Sequence, residues 1–123
     1  MTIALWCVLA AGMMPYLFTG IAKSSRRGYD NRAPREFLST LEGWGQRANW
    51  AQVNSFEAFP LFAVAVLAAQ FRGAEQSMVN QLAMGFIAAR LAYGAFYIID
   101  QATLRSLAWT AGISCAVALF IVH

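Results

Sequence analysis

The sequence predicts an all-α integral membrane protein, a bundle of four transmembrane helices in a single domain of residues 1–123. The first observation is composition: 59% of the residues are hydrophobic and 12% are charged, against about 25% charged in soluble domains. The second is pattern, because the apolar residues form four long blocks, and a bilayer-spanning helix needs about 20 mostly apolar residues. The third is a concentration of basic residues between the first two blocks, which is typical of a cytoplasmic loop.

The four spans follow in order along the chain. We expect them at about residues 2–22, 47–71, 77–98 and 103–122, with a loop at 23–46. The first block carries no charge and no basic side chain precedes Lys23, whereas a signal peptide begins with a positively charged region. The first block is therefore expected to be a retained span.

The loop between the first two spans is the longest polar segment. Within it, "PREFLSTL" predicts a short helix at the membrane surface, with Phe37, Leu38 and Leu41 on one side. The connections at 72–76 and 99–102 are short, so the last three spans should pack as antiparallel neighbours.

The orientation of the bundle follows from its basic residues. Six of the nine Lys and Arg residues lie within 23–47: Lys23, Arg26, Arg27, Arg32, Arg35 and Arg47. Basic loops stay on the cytoplasmic side, so we expect both termini in the periplasm and the protein in a bacterial inner membrane. The net charge of +3 suits anionic lipid. No nucleic-acid motif is present, so the lipid bilayer is the expected partner.

Metal and disulfide chemistry are not expected. The one histidine is the terminal residue His123, and Cys7 and Cys115 lie in separate apolar blocks without a C-x-x-C pairing. Cysteines in such blocks are usually small core or lipid-facing residues.

Polar and charged residues recur inside three of the spans, where they are costly and usually face an internal cavity or a partner. Within each span, spacings of three, four or seven residues, or a shared first turn, bring them together. The second span contributes Arg47, Asn54 and Glu57, the third Arg90, Tyr93 and Tyr97, and the fourth Arg105, Ser106 and Trp109.

Glu57 and Arg90 should lie at similar depth. Each is separated by ten residues from the expected membrane edge, at Arg47 and Asp100 respectively, which is about 15 Å of helix. Because the two helices run in opposite directions, a buried contact between Glu57 and Arg90 is expected. Such a pair either lines a cavity or only locks the bundle, and both interpretations stay open.

The remaining basic residues, Lys23, Arg47 and Arg105, indicate a ring that faces the cytoplasm. Arg105 lies at a helix N-terminus, where free N–H groups favour an anion and Thr103 is a candidate cap. A pocket for a small anionic ligand is the favoured interpretation. The alternative is that Lys23 and Arg47 extend their charges to the membrane edge as isolated side chains.

These motifs resemble those of the MAPEG family, the membrane-associated proteins of eicosanoid and glutathione metabolism. The second span has the family's order of Arg, Ala, Asn and an acid, the third its Arg–Tyr–Tyr spacing, and the fourth its Arg-Ser followed by an aromatic residue. The matching residues are Arg47, Ala51, Asn54, Glu57, Arg90, Tyr93, Tyr97, Arg105, Ser106 and Trp109. Thr19 and Gly20, followed by Lys23, match the end of the family's first span. The resemblance covers the whole chain and is strongest to the bacterial branch of the family.

The resemblance implies a homotrimer that holds glutathione at subunit interfaces open to the cytoplasm, for reaction with a lipophilic electrophile or a lipid hydroperoxide. In that scheme Arg105 stabilises the thiolate and Ser106 donates a hydroxyl. The tripeptide would be bound by Lys23, Arg47, Asn54, Glu57, Arg90, Tyr93, Tyr97 and Trp109. Trp50, Val53 and Trp109 depart from the prostaglandin-synthase members, which have basic residues at the first two positions and Tyr at the third.

Two other functions stay open. A non-catalytic binding or scaffold protein would use the same helices without the chemistry. A small multidrug exporter also has four short helices, but such exporters carry an essential Glu in the first span, and residues 2–22 contain no acid.

Overall fold

The computed structural model describes residues 1–123 and contains five helices and no strand. In chain order they are α1 Ile3–Ser24, α2 Pro34–Ser39, α3 Gly43–Phe71, α4 Gln76–Ile98 and α5 Ala102–Ile121. All but α2 are long and apolar enough to cross a membrane. The chain is therefore an integral membrane protein, and the predicted bundle of four spanning helices is confirmed.

The longest helix, α3, has 29 residues, which is about 43 Å at 1.5 Å per residue. This exceeds the hydrocarbon core of a bilayer, about 30 Å, so part of α3 extends beyond it. The helix begins at Gly43, ahead of the expected start at residue 47. Residues 58–71 carry no charge, so the extension lies at the Gly43 end.

The helices pack as two pairs, α1 with α3 and α4 with α5, and contacts between α3 and α4 join the pairs. Small residues fill much of the interior, which lets the backbones approach closely. Fully buried examples are Ala4, Ala65, Ala69, Ala83 and Ala116. At the centre, Phe62 and Phe86 stack with their ring centroids 3.9 Å apart.

One end of the bundle, here called the basic end, contains the end of α1, the start of α3, the end of α4 and the start of α5. The short helix α2 covers part of it, because Phe37 and Leu38 are buried together with Ala22 of α1 and Ala48 of α3. Leu41, just beyond α2, is buried in the same cluster. The surface helix predicted from "PREFLSTL" is therefore present, with the expected residues facing inward.

At the opposite end, here called the amide end, hydrogen bonds between neutral side chains join the helices. Gln70 and Gln76 donate to each other's amide oxygens at 2.9 Å, and Gln76 also donates to Asn80 Oδ1 at 2.7 Å. Thr2 donates its hydroxyl to Gln70, while Asn80 Oδ1 accepts the backbone N–H of Ala4. One network therefore connects the start of α1, the end of α3 and the start of α4.

Arg72 attaches α5 to the same amide end. Its Nη2 donates to the carbonyl oxygen of Leu119 at 3.1 Å and to that of Val122 at 2.8 Å. Carbonyl groups at a helix C-terminus have no partner within the helix, so this arginine satisfies groups that would otherwise need water. All four spanning helices are thus hydrogen-bonded to one another at this end.

Candidate functional site

Arg90 is the one charged residue buried in the bundle, with 3% of its surface exposed. Its Nη2 donates to Asn54 Oδ1 at 2.7 Å, and its guanidinium carbon lies 4.2 Å from the centroid of the Tyr93 ring. A hydrogen bond to an amide and a cation–π contact therefore stabilise this charge between α3 and α4.

The expected contact between Glu57 and Arg90 is wrong. Asn54 lies one turn closer to the basic end on the same face of α3, and it provides the acceptor instead. Glu57 is exposed at the outer surface of the bundle. Its carboxylate therefore remains accessible to a ligand.

The two tyrosines of α4 form a ladder of rings and cations. Tyr93 and Tyr97 pack edge to face, with centroids 5.6 Å apart and planes at 87°. The guanidinium carbon of Arg105, from the start of α5, lies 4.5 Å from the Tyr97 centroid. Trp50 of α3 approaches the same ring, with centroids 6.1 Å apart and planes at 42°. Each tyrosine ring therefore has a cation–π contact with one arginine: Tyr93 with Arg90, and Tyr97 with Arg105.

A groove of about 350 Å³ opens beside this ladder. Its lining residues are Trp50, Val53, Asn54, Glu57, Tyr93 and Tyr97. The volume is at the lower end of the range for small-molecule sites. The walls combine aromatic rings with one carboxylate and one amide, which suits a small ligand that has both polar and apolar parts.

Arg47 and Lys23 have different surroundings. Arg47 donates its Nε–H to the carbonyl oxygen of Ile98, in the last turn of α4, at 3.0 Å. This bond fixes Arg47 near the end of the helix that carries the tyrosines. Lys23 instead places its ammonium 4.5 Å from the ring of Tyr29 in the connecting segment. Of the expected ring of three cations, Arg47 and Arg105 lie against the end of α4, and Lys23 contacts the loop.

Ser106 and Trp109 are exposed on α5 and are not among the residues that line the groove. The expected cap by Thr103 is also wrong, because α5 begins after Gln101 and no side chain caps it. Within the chain, the structure therefore gathers Asn54, Glu57, Arg90, Tyr93, Tyr97 and Arg105 around the groove and leaves Ser106 and Trp109 outside.

Two lining residues, Trp50 and Val53, were recognised in the sequence only as departures from a family pattern. The spacing contains a signal for Trp50: residues 50, 54 and 57 are separated by four and three, so they share one helical face. Their side chains line the groove together with the tyrosines of α4.

A second groove, of about 430 Å³, lies between α1 and α4. It is lined only by hydrophobic residues: Ile3, Trp6, Cys7, Ala10, Met84, Ile87, Ala88 and Leu91. On α4, Met84, Ala88 and Leu91 lie on the face opposite to Tyr93, by helical spacing. The second groove therefore offers no polar group to a ligand and has no connection with the arginines, so the polar groove is the candidate site.

Comparison with known families gives a match over nearly the whole chain. The model of the MAPEG family matches residues 3–123. The chain belongs to the MAPEG family. The resemblance predicted from the sequence motifs is confirmed. No curated protein matches the chain.

MAPEG membership gives the polar groove a chemical context. The family consists of membrane proteins that are generally associated with glutathione. In this MAPEG chain, four of the residues that carry the resemblance on α3 and α4 line the groove: Asn54, Glu57, Tyr93 and Tyr97. Arg90 contacts two of them, Asn54 and Tyr93. The residues that carry the resemblance on α5 have two different environments. Arg105 contacts Tyr97, whereas Ser106 and Trp109 face outward.

Proposed function

We propose that this MAPEG protein is a glutathione-dependent membrane transferase or peroxidase that acts on a lipophilic electrophile or a lipid hydroperoxide. One observation carries the proposal: the groove combines the accessible carboxylate of Glu57 with tyrosine rings that hold the guanidinium groups of Arg90 and Arg105. A site with fixed positive charge beside an apolar medium is suited to stabilise an anion and to meet a substrate that arrives from lipid.

The charged groups of glutathione fit the groups present. The tripeptide has one ammonium group, for which the Glu57 carboxylate is a suitable partner. It has two carboxylates, for which the remaining N–H groups of Arg47 and the ammonium of Lys23 are partners. Asn54 uses its oxygen for Arg90, so its amide N–H groups remain to donate to a peptide carbonyl.

Glutathione supplies a thiol whose sulfur, once deprotonated, bonds to carbon while a leaving group departs with the electrons of the broken bond. With a hydroperoxide, two thiols are oxidised to a disulfide, and the hydroperoxide is reduced to an alcohol and water. A free thiol has a pKa of about 8.5, so a decrease of about two units requires roughly 2.7 kcal/mol of differential stabilisation.

Arg105 is proposed to supply most of that stabilisation. A guanidinium stays charged in an apolar site, and the contact with Tyr97 fixes its position beside the groove. Ser106, the next residue, is proposed as a hydroxyl donor to the sulfur. Because Ser106 and Trp109 face outward, they would reach a ligand held between subunits.

The same argument supports the proposed homotrimer. An ionisable carboxylate within a membrane span is costly unless it meets a partner, and Glu57 is exposed on the isolated subunit. An adjacent subunit that closes the polar groove would remove Glu57 from lipid and bring its own α5 residues to the ligand. Native mass spectrometry of the detergent-purified protein should give the mass of three chains. A monomer at all protein concentrations would contradict this arrangement.

We further propose that the basic end faces the cytoplasm and that both termini are periplasmic in a bacterial inner membrane. The support is the concentration of Lys and Arg between α1 and α3. A Ser24→Cys variant should react with a membrane-impermeant maleimide only after the cells are opened. Labelling from outside intact cells would reverse the topology.

Calorimetry with glutathione and with an S-alkyl analogue, on the detergent-purified protein, tests the proposed function. Both should bind, and the protein should accelerate formation of a thioether from an aryl halide above the uncatalysed rate. Binding without acceleration for any electrophile or hydroperoxide would favour a non-catalytic binding protein. Absence of binding to either compound would remove the glutathione proposal altogether.

A further inference from the structure

The polar groove has two chemically different ends. Trp50 and Glu57 are seven residues apart on one face of α3, which is about 10 Å along the helix axis. The carboxylate of Glu57 and the amide of Asn54 lie toward one end, and the indole of Trp50 lies toward the other. A ligand that fills the groove therefore meets hydrogen-bonding groups and an aromatic surface at separate places.

The aromatic end is held in position by several contacts. Tyr97 packs edge to face on Tyr93, carries Arg105 over its ring and meets Trp50 at a centroid distance of 6.1 Å. The tyrosine is therefore preorganised. Trp50 is less covered, with 45% of its surface exposed, so much of the indole remains available to a ligand.

The position of Arg105 connects this aromatic end to the reacting sulfur. In the proposed function, on which this inference rests, the guanidinium of Arg105 stabilises the sulfur. That guanidinium lies over the ring of Tyr97, and Trp50 approaches the same ring. The group attached to the sulfur must consequently lie close to Trp50 and Tyr97, whereas the ammonium group of the tripeptide would lie toward Glu57.

We propose that Trp50, together with Tyr97, forms a platform for a flat aromatic ring attached to the sulfur directly or through one methylene group, and that Trp50 determines specificity for aromatic rather than saturated electrophiles. Aromatic rings attract one another through offset or edge-to-face contacts, beyond what burial of apolar area alone provides. A saturated ring of the same carbon number gains only the burial.

Trp44 provides a matched control. Tryptophans are common at membrane interfaces for reasons unrelated to a ligand, and such a role would apply equally to Trp44 and Trp50. Both lie on α3, six residues apart, with 44% and 45% of their surfaces exposed. Trp44 does not line the groove, whereas Trp50 does. A ligand effect should therefore depend on Trp50 alone.

The test is calorimetry on the detergent-purified, full-length protein with S-benzylglutathione and S-(cyclohexylmethyl)glutathione, which carry the same number of carbon atoms. We expect the benzyl compound to bind about three- to tenfold more tightly. Trp50→Leu should reduce this ratio to about one, Trp50→Phe should retain most of it, and Trp44→Leu should leave it unchanged.

The outcomes separate this inference from the proposed function. Equal affinity of the wild type for the two compounds, or a preference that survives in Trp50→Leu, would overturn the aromatic platform while leaving glutathione binding intact. Loss of the preference in Trp44→Leu as well would assign it to membrane anchoring. If neither conjugate nor glutathione itself binds the wild type, the proposed function fails, and the inference fails with it.

Discussion

The two ends of the bundle are built from different chemistry. The amide end joins all four spanning helices through neutral side chains and one arginine, Arg72, and each of these groups has a partner in the chain. At the basic end, Arg105 contacts a ring without a hydrogen bond to any side chain, and the polar groove that extends from there along α3 reaches the exposed carboxylate of Glu57. One end uses its polar groups for stability, whereas the other keeps donors and an acceptor available for a ligand.

This contrast explains how a small bundle can hold a polar site in a membrane. Charges within a span destabilise the protein unless they are partnered. Arg90 meets that requirement through Asn54 and Tyr93, and the satisfied network at the amide end fixes the relative positions of α1, α3 and α4. The helices can then present unpaired groups at the basic end without losing their arrangement.

The largest expected effect comes from removing Arg105 at the basic end. Arg105→Ala should lower the rate of thioether formation by about 100-fold or more, because the guanidinium stabilises charge that develops on sulfur. Arg105→Lys should recover only part of the rate, since an ammonium lacks the planar fork. The measurement is product formation above background at several pH values.

Arg72→Ala is the control from the amide end. It removes the hydrogen bonds to Leu119 and Val122 and should lower the melting temperature, but the rate per folded molecule should stay near that of the wild type. An active wild type with an equally active Arg105→Ala would contradict the placement of the sulfur.

The second expected effect is on stability and concerns the partner of Arg90. Asn54→Ala removes the acceptor at 2.7 Å and leaves a buried guanidinium without a hydrogen bond to a side chain. We expect the free energy of unfolding to fall by about 1.5–3 kcal/mol, the range for hydrogen bonds to charged groups. Glu57→Gln is the comparison, and its expected change is smaller, because the acceptor for Arg90 is Asn54 and not the exposed Glu57. Equal shifts in the melting of the two variants would show that Glu57 shares the stabilisation of Arg90.

Sequence patterns were sufficient to predict the four spanning helices and most of the residues that line the groove. Four apolar blocks predicted four helices, and helical spacing placed Asn54 and Tyr93 on facing surfaces. The depth of a residue in the membrane, estimated from its position along the helix, does not distinguish Asn54 from Glu57 as the partner of Arg90. These two residues are three positions apart, which is about 4.5 Å along the helix axis. That choice depends on side-chain direction and on the rotation of α3 about its axis, which the tertiary packing determines.

Two other differences have separate physical causes. Ser106 follows Arg105 directly, but consecutive residues point about 100° apart, so one contacts Tyr97 and the other faces outward. The amide network was not predicted, because Gln70 and Gln76 lie on either side of a turn and neutral amides are not unusual at helix ends. Only the folded arrangement shows that they donate to each other.

The third prediction breaks the amide end. Asn80→Ala removes the acceptor for the backbone N–H of Ala4 and for Gln76, and we expect a loss of about 1–2 kcal/mol in the free energy of unfolding. Glutathione affinity should change little, since the network is remote from the groove. The control is Gln81→Ala on the same helix, where the side chain is exposed and donates only to Ser77. A loss in Gln81→Ala equal to that in Asn80→Ala would show that the network has no special role.

The smallest expected effect compares how a helix ends at each end of the bundle. At the amide end, α3 is followed by Gly73 with φ +69°, and at the basic end, α4 is followed by Asp100 with φ +65°. Both termini have the same pair of backbone bonds: Gly73 N–H to Gln70 and the next N–H to Ala69, and Asp100 N–H to Tyr97 and the next N–H to Phe96. This is the Schellman pattern, in which glycine is preferred because other residues adopt positive φ at a cost.

Asp100→Gly should therefore stabilise the protein by about 0.5 kcal/mol, the relief of strain being partly offset by the greater freedom of glycine in the unfolded chain. Gly73→Ala should destabilise it by about 1 kcal/mol, because a Cβ is introduced at a positive φ. Both changes are measured as shifts in chemical or thermal unfolding in the same detergent. If Asp100→Gly instead lowers stability, the carboxylate of Asp100 contributes a favourable interaction with the N-terminus of α5 that exceeds the strain. A charged side chain would then stabilise the turn after α4 at the basic end, whereas a glycine without a side chain forms the corresponding turn after α3 at the amide end. The two ends would therefore differ in their turns as well as in their hydrogen-bonded side chains.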